Sequence, residues 1–171
     1  MNRELVESRL WSIFENINSW LKYAEGKNAY ILAFIGAEIT LLKFLNVKYD
    51  FCLGVSFVFL GLCFFICLIS FFPKTAIPRW LYYFVKSKQL PSDFDNLLFY
   101  GDIAKYSIKD YIKKLSELFN YKIEDDKYLK DLCGQIIVNA GIASEKFKIF
   151  KTSFWSLLIG QVFVIISFLA Q

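Results

Sequence analysis

Residues 51–72, FCLGVSFVFLGLCFFICLISFF, decide the fold, because they run for twenty-two positions without a charge or a proline. A helix of that length rises about 33 Å at about 1.5 Å per residue, enough for a hydrocarbon core about 30 Å thick. The stretch reads as a membrane span. Upstream, Ala29 to Val47 (AYILAFIGAEITLLKFLNV) is long enough to cross but carries Glu38 and Lys43. Downstream, Phe154 to Ala170 (FWSLLIGQVFVIISFLA) is apolar apart from Gln161 and two serines. The connector Asn46 to Asp50 is so short that the first two runs form a hairpin whose ends return to one side. Segment 1–28 holds four Lys and Arg, segment 73–151 fourteen, and the hairpin loop only Lys48. The excess of cytoplasmic basic residues in membrane proteins then places the N-terminus and 73–151 in the cytoplasm and Gln171 outside.

Composition agrees. At 56% hydrophobic and 19% aromatic, with mean hydropathy +0.40, the chain is too apolar for an ordinary soluble domain, while 21% charge leaves room for a cytoplasmic part. A net charge of +4 is no nucleic-acid signature. No cleavable signal peptide is expected, since a charged amphipathic stretch precedes the first apolar run and no small-residue cleavage site follows it. Histidine is absent, which excludes a His-containing triad, a His-dependent zinc site and a His general base. Cys52, Cys63, Cys67 and Cys133 have neither metal-site nor disulfide-framework spacing, and there is no Walker loop and no GxGxxG. No catalytic residues, cofactor or metal are expected, and the chain reads as a non-enzyme.

The cytoplasmic segments read as helices continuous with the spans. Val6, Leu10, Ile13, Ile17, Trp20 and Ala24 alternate spacings of four and three, the seam of a coiled-coil-like stalk. Leu129, Leu132, Ile136, Ala140, Ala143, Phe147, Phe150 and Phe154 form a second seam on a proline-free stretch from Glu124 to Gln171, about 70 Å if helical throughout. The two stalks run in one direction and can pack in parallel. Between them, Pro78 opens PRWLYYFVKSK, which suits an interfacial helix. Ser107-x-x-Asp110 resembles a capping box before the stripe Ile108, Tyr111, Ile112, Leu115, Leu118 and Phe119, with Asn120 at its end. The expectation is an all-α membrane protein of three transmembrane helices, with helical cytoplasmic stalks and a small helical cytoplasmic domain. Its divisions are 1–28 cytoplasmic amphipathic helix, 29–72 transmembrane hairpin, 73–151 cytoplasmic helical region and 152–171 C-terminal transmembrane helix.

Polar groups within the spans need partners. Glu38 lies about 14 Å past Ala29 and Gln161 about 10 Å past Phe154, so on spans of one direction the two can meet at similar depth. They hold the bundle together or line an ion or water path. Lys43, near the outer end, is expected to snorkel. Gly36, Ala37, Gly54, Gly61 and Gly160, with Gly134 and Gly141 in the stalk, permit close helix approach, and so thin a bundle is expected to be a homo-oligomer.

Two segments, NLLFYGDIAKYSIKDYIKKL (Asn96 to Leu115) and DLCGQIIVNAGIASEKFKIF (Asp131 to Phe150), resemble the Pycsar transmembrane effector family, as does AEGKNAYILAFIGA (Ala24 to Ala37) at the entry to the first span. The ordered set covers most of the chain. The resemblance implies an antiphage effector of the bacterial inner membrane, triggered by a cyclic pyrimidine mononucleotide, cUMP or cCMP, from a partner cyclase. The resemblance further implies that such an effector, once triggered, impairs membrane integrity and halts the infected cell. Residues matching the family pattern are Lys27, Asn96, Phe99, Gly101, Asp102, Tyr111, Gln135 and Lys146. Of these, Lys27 and Lys146 offer cationic donors to a phosphate, and Asn96, Asp102 or Gln135 can read a base edge. The bland alternative has Asn96 and Asp102 capping turns around Gly101 and Lys146 anchoring at the membrane surface. There is no room for a separate cyclic-nucleotide-binding barrel, so the ligand would bind the cytoplasmic helices or an oligomer interface. The alternative function is a non-enzymatic membrane anchor or scaffold whose stalks recruit a cytoplasmic partner.

Overall fold

The computed structural model describes residues 2–45, 47–72 and 90–170, and all regular structure among them is helical. Helix α1 spans Arg3–Phe44, α2 Phe51–Ile69, α3 Tyr100–Ile103, α4 Ile108–Phe119 and α5 Lys127–Leu169, with a 3₁₀ turn at Ile123–Asp125. The chain divides into two compact units, one of Met1–Tyr23 and Pro78–Glu145, the other of Ala24–Ile77 and Lys146–Gln171. Helices α1 and α5 contribute residues to both. The basic aromatic segment that opens at Pro78 lies outside the described residues.

Each boundary has a local cause. Asn2 Oδ1 accepts from Leu5 N at 3.0 Å and starts α1. Asp50 caps α2 through Leu53 N at 2.7 Å. Helix α2 stops at Ile69, three residues short of the apolar run: the amides of Ser70, Phe71 and Phe72 turn back to the carbonyls three residues earlier, a 3₁₀ tightening. Ser107 Oγ accepts from Asp110 N at 3.2 Å and donates to Asp110 Oδ2 at 2.6 Å, so the expected box opens α4. Asn120 closes it in the left-handed conformation, φ 47° and ψ 49°. Helix α5 begins at Lys127, not at Glu124. Asp126 Oδ1 takes the amides of Tyr128 and Leu129 at 3.0 and 3.2 Å, and a side chain occupied as a cap cannot sit inside a helix.

In the first unit, Val6, Leu10, Ile13 and Ile17 of α1 join Leu129, Leu132, Ile136 and Ala140 of α5 and the inner face of α4 in one core. Trp20 is only half-buried. The α4 stripe is narrower than its sequence pattern, with Tyr111, Ile112, Leu115 and Phe119 buried but Ile108 and Leu118 exposed. The α5 seam is buried only as far as Ala143. Phe147 and Phe150 are half-buried, and Phe154 is exposed.

The second unit packs α2 on a seam of heptad spacing, Leu53, Ser56, Leu60, Cys63 and Cys67, all buried. Its partners are Ile31 and Ile35 of α1 and Leu157 of α5. The buried asparagine and serines among the described residues all lie here: Asn28, Ser56, Ser70, Ser153 and Ser167. Large apolar side chains face outward, including Phe34, Val58, Phe65, Val162 and Ile165. Small polar residues buried among apolar ones, behind an exterior of exposed apolar side chains, are the pattern for a unit surrounded by lipid. Helices α2 and α5 are long and apolar enough to cross a membrane, with mean hydropathy 2.8 and 1.9 in their most apolar windows. Helix α1, which carries Glu38 and Lys43, is not among them. Of the glycines, Gly160 does bring helices close: a Cβ there would lie 3.4 Å from Leu60. Gly54 sits under the Tyr49 hydroxyl, whereas Gly36, Gly61, Gly134 and Gly141 face open space.

Candidate functional site

Residues 92–106 form a loop whose backbone is held almost residue by residue. The Ser92 carbonyl accepts from Tyr106 Oη at 3.1 Å, the Leu97 carbonyl from Tyr111 Oη at 3.2 Å, and the Leu98 carbonyl from Asn16 Nδ2 at 2.9 Å. Such bonds replace the ladder partners that a loop lacks. Lys105 Nζ bridges Asp95 Oδ1 at 2.7 Å and Asp102 Oδ1 at 2.6 Å. The second oxygen of Asp102 accepts from Asn96 N at 3.0 Å, and Asn96 Oδ1 accepts from Leu98 N at 2.9 Å. The Lys105 hydrogen bond, then the Ser92 amide, hold the Asp95 carboxyl below the usual carboxylate range. Asp102 and then Asp95 raise Lys105. The Phe99 ring folds over Gly101, 2.7 Å from where a Cβ would stand. Trp20 packs on Phe99 and Tyr100 with centroids 6.2 and 5.4 Å apart.

Against this loop lies a cavity of about 630 Å³, within the range of about 300–1,000 Å³ typical of small-molecule sites. Its polar lining comes from Arg9, Ser12 and Asn16 of α1 and Asp95 and Asn96 of the loop; Leu98, Leu118 and Phe119 are among the apolar walls. The Arg9 guanidinium stands over the Phe119 ring at 5.9 Å and is in no ion pair among the described residues. Burial raises Tyr111, which keeps its phenol neutral as a donor behind the wall.

The residues proposed from sequence as ligand contacts are divided between the units. Asn96 lines the cavity, Asp102 shapes the loop beside it, and Gln135 is exposed on α5. Lys27 and Lys146 belong to the second unit. Lys27 Nζ lies 4.8 Å over the Phe150 ring. Lys146 Nζ donates to Ser70 O at 2.7 Å and pairs with Glu25 Oε1 at 3.0 Å, which places a cation on the carbonyl end of α2. Deeper in that unit Gln161 Nε2 donates to Glu38 Oε2 at 2.6 Å, so these two side chains meet, while Glu38 Oε1 is buried without a partner.

Sequence reasoning missed two sets of residues. Arg9, Ser12 and Asn16 flank the apolar seam of α1 on its exposed border, where a polar residue has no reason to be singled out. Asn28, fully buried, donates to Ala24 O at 3.0 Å and Ser70 Oγ at 2.9 Å. It occupies a seam position between Ala24 and Ile31, and a polar residue in a packing seam is a signal that could have found it.

A family model described as the Pycsar effector protein domain matches residues 9–171. The Pycsar effector protein RsPycTM of a Rhizobium species is 31% identical over 140 residues, covering 76% of this chain and 75% of that one. No solved structure matches. Matched over nearly its whole length by the family model, and over three quarters of both chains by a relative of the same kind, the protein belongs to the Pycsar effector family, a family of antiphage-defence effectors of transmembrane character.

Proposed function

We propose that this chain is the membrane-damaging effector of an antiphage response: on binding cUMP or cCMP from a partner cyclase, it impairs the inner membrane and arrests or kills the infected cell. The observation that carries the membrane half is the second unit, which buries Asn28, Ser56, Ser153 and Ser167 and exposes phenylalanine, valine and isoleucine. Three spans are proposed, namely the C-terminal part of α1, then α2, then the C-terminal part of α5. The N-terminus and 73–151 lie in the cytoplasm and Gln171 outside, as the basic residues direct. The bonded Glu38 and Gln161 are assembly contacts of a homo-oligomer in this reading. Helices α1 and α5 belong to both units without a break, so a ligand that acts on either helix in the first unit acts on an element of the second.

The test is direct. Bacteria expressing the chain are loaded with a membrane-potential dye and supplied with each cyclic nucleotide. Depolarisation within minutes with at least one of them is expected. A flat trace with both removes the mechanism.

A further inference from the structure

We infer that the 630 Å³ cavity of the first unit binds a mononucleotide carrying a single negative charge, with Arg9 as its phosphate anchor. This rests on the proposed function for the identity of the ligand, and on the structure for the place. The lining presents one cation and one carboxylate, and they are not equivalent. The Asp95 carboxylate is held by Lys105 at 2.7 Å, a cation it shares with Asp102, whereas Arg9 has no acidic partner among the described residues. A single uncommitted guanidinium matches a phosphodiester with one charge, which it can meet with two parallel N–H donors.

The remaining lining suits a ring with polar edges. Asn96 uses its side-chain oxygen on Leu98 N, which leaves the Nδ2 hydrogens for a carbonyl acceptor; Asn16 uses Nδ2 on Leu98 O, which leaves Oδ1 for a ring N–H or amino donor. Donor and acceptor together fit the edge of a pyrimidine. Leu98 and Leu118 are 55% and 64% exposed, an apolar mouth that covering by a ring would bury. The Tyr111, Tyr106 and Asn16 bonds to loop carbonyls fix this wall in advance, which lowers the ordering cost of binding.

The experiment uses the full chain in lipid nanodiscs, titrated calorimetrically with cUMP and cCMP. Arg9→Gln and Leu118→Trp are compared with the native chain, the first removing the charge and the second filling the mouth at an exposed position. Circular dichroism confirms that each variant folds. Binding to the native chain that weakens at least about tenfold in both folded variants is the expected result. Native binding that both variants retain within about twofold overturns this site and leaves the proposed function standing. No binding by the native chain to either nucleotide overturns both. Variant-sensitive binding with a flat dye trace in cells keeps the site and removes only the membrane-damaging role.

Discussion

Replacing Lys146 with methionine separates anchoring from ligand contact. The ammonium donates 2.7 Å to Ser70 O at the end of α2 and lies 3.0 Å from Glu25, with 13% of the side chain exposed. A hydrogen bond from a charged donor contributes about 1.5–3 kcal/mol, and the pair with the half-exposed Glu25 adds less than about 1 kcal/mol. Methionine keeps the reach of the chain but removes both interactions, and leaves the carbonyl end of α2 short of a donor. The expected loss is about 2 kcal/mol, which lowers Tm by roughly 4–8 °C in a chain of this size. Affinity for cUMP or cCMP, measured where both proteins are folded, stays within about twofold because Lys146 does not line the cavity. Lys146→Arg restores a donor and recovers part of the Tm. The assay is thermal unfolding in nanodiscs beside calorimetric titration. An unchanged Tm with a tenfold loss of affinity would falsify this assignment and make Lys146 a ligand contact.

Tyr111→Phe deletes the donor to Leu97 O at a fully buried position, so about 1–2 kcal/mol of local stability is lost and amides 96–99 exchange faster; unchanged exchange there means that the phenol does not hold the loop. The Asp95 contribution, from a carboxyl held below its unfolded value of about 3.9, is complete above that pH and lost as pH falls through the folded value. Lys105, raised in the folded chain, contributes fully below about 10.4 and loses its effect as pH rises through its folded value. Loop protection, corrected for intrinsic exchange, is therefore flat between those limits and falls in acid; in Lys105→Met the acid limb flattens, and a native-like limb there contradicts the assignment. Gly160→Val drives side-chain atoms into Leu60 and costs about 1–3 kcal/mol, while Gly36→Ala, with open space around it, is neutral or slightly stabilising. Equal melting temperatures for these two variants would sink the packing account. Glu38→Gln retains a partner for Gln161 but alters the charge available to the pair, so assembly in cross-linking or leak from liposomes changes; if neither does, the pair has no part in either.

The apolar stretches were legible in the sequence because hydropathy and length act along one helix, and the helical class and the α1 stalk because their seams are periodic along one helix. Val6, Leu10, Ile13 and Ile17 are buried where their spacing of four and three put them, and Ser107 and Asn120 bound α4 through contacts made within a few residues. The α2 seam was not legible: in a helix apolar all round, nothing marks Leu53, Ser56, Leu60, Cys63 and Cys67 as the inward side. Nor was the cavity, whose lining joins Arg9 and Asn16 to Asn96 and Phe119 across eighty or more residues of chain. Family pattern pointed to Asn96 and Lys146 alike, yet folding commits the Lys146 ammonium to Ser70 and places Asn96 in the cavity lining.

The sequence by itself determined which helices form and that part of the chain suits lipid, since hydropathy and capping act over one element at a time. Only the tertiary structure decided which polar groups are satisfied and which are still free to bind. A hydrogen bond such as Tyr111 to Leu97, or an ion pair such as Lys105 to Asp95, exists only once separate elements meet. The uncommitted charge of Arg9 is visible only against those that folding has already paired.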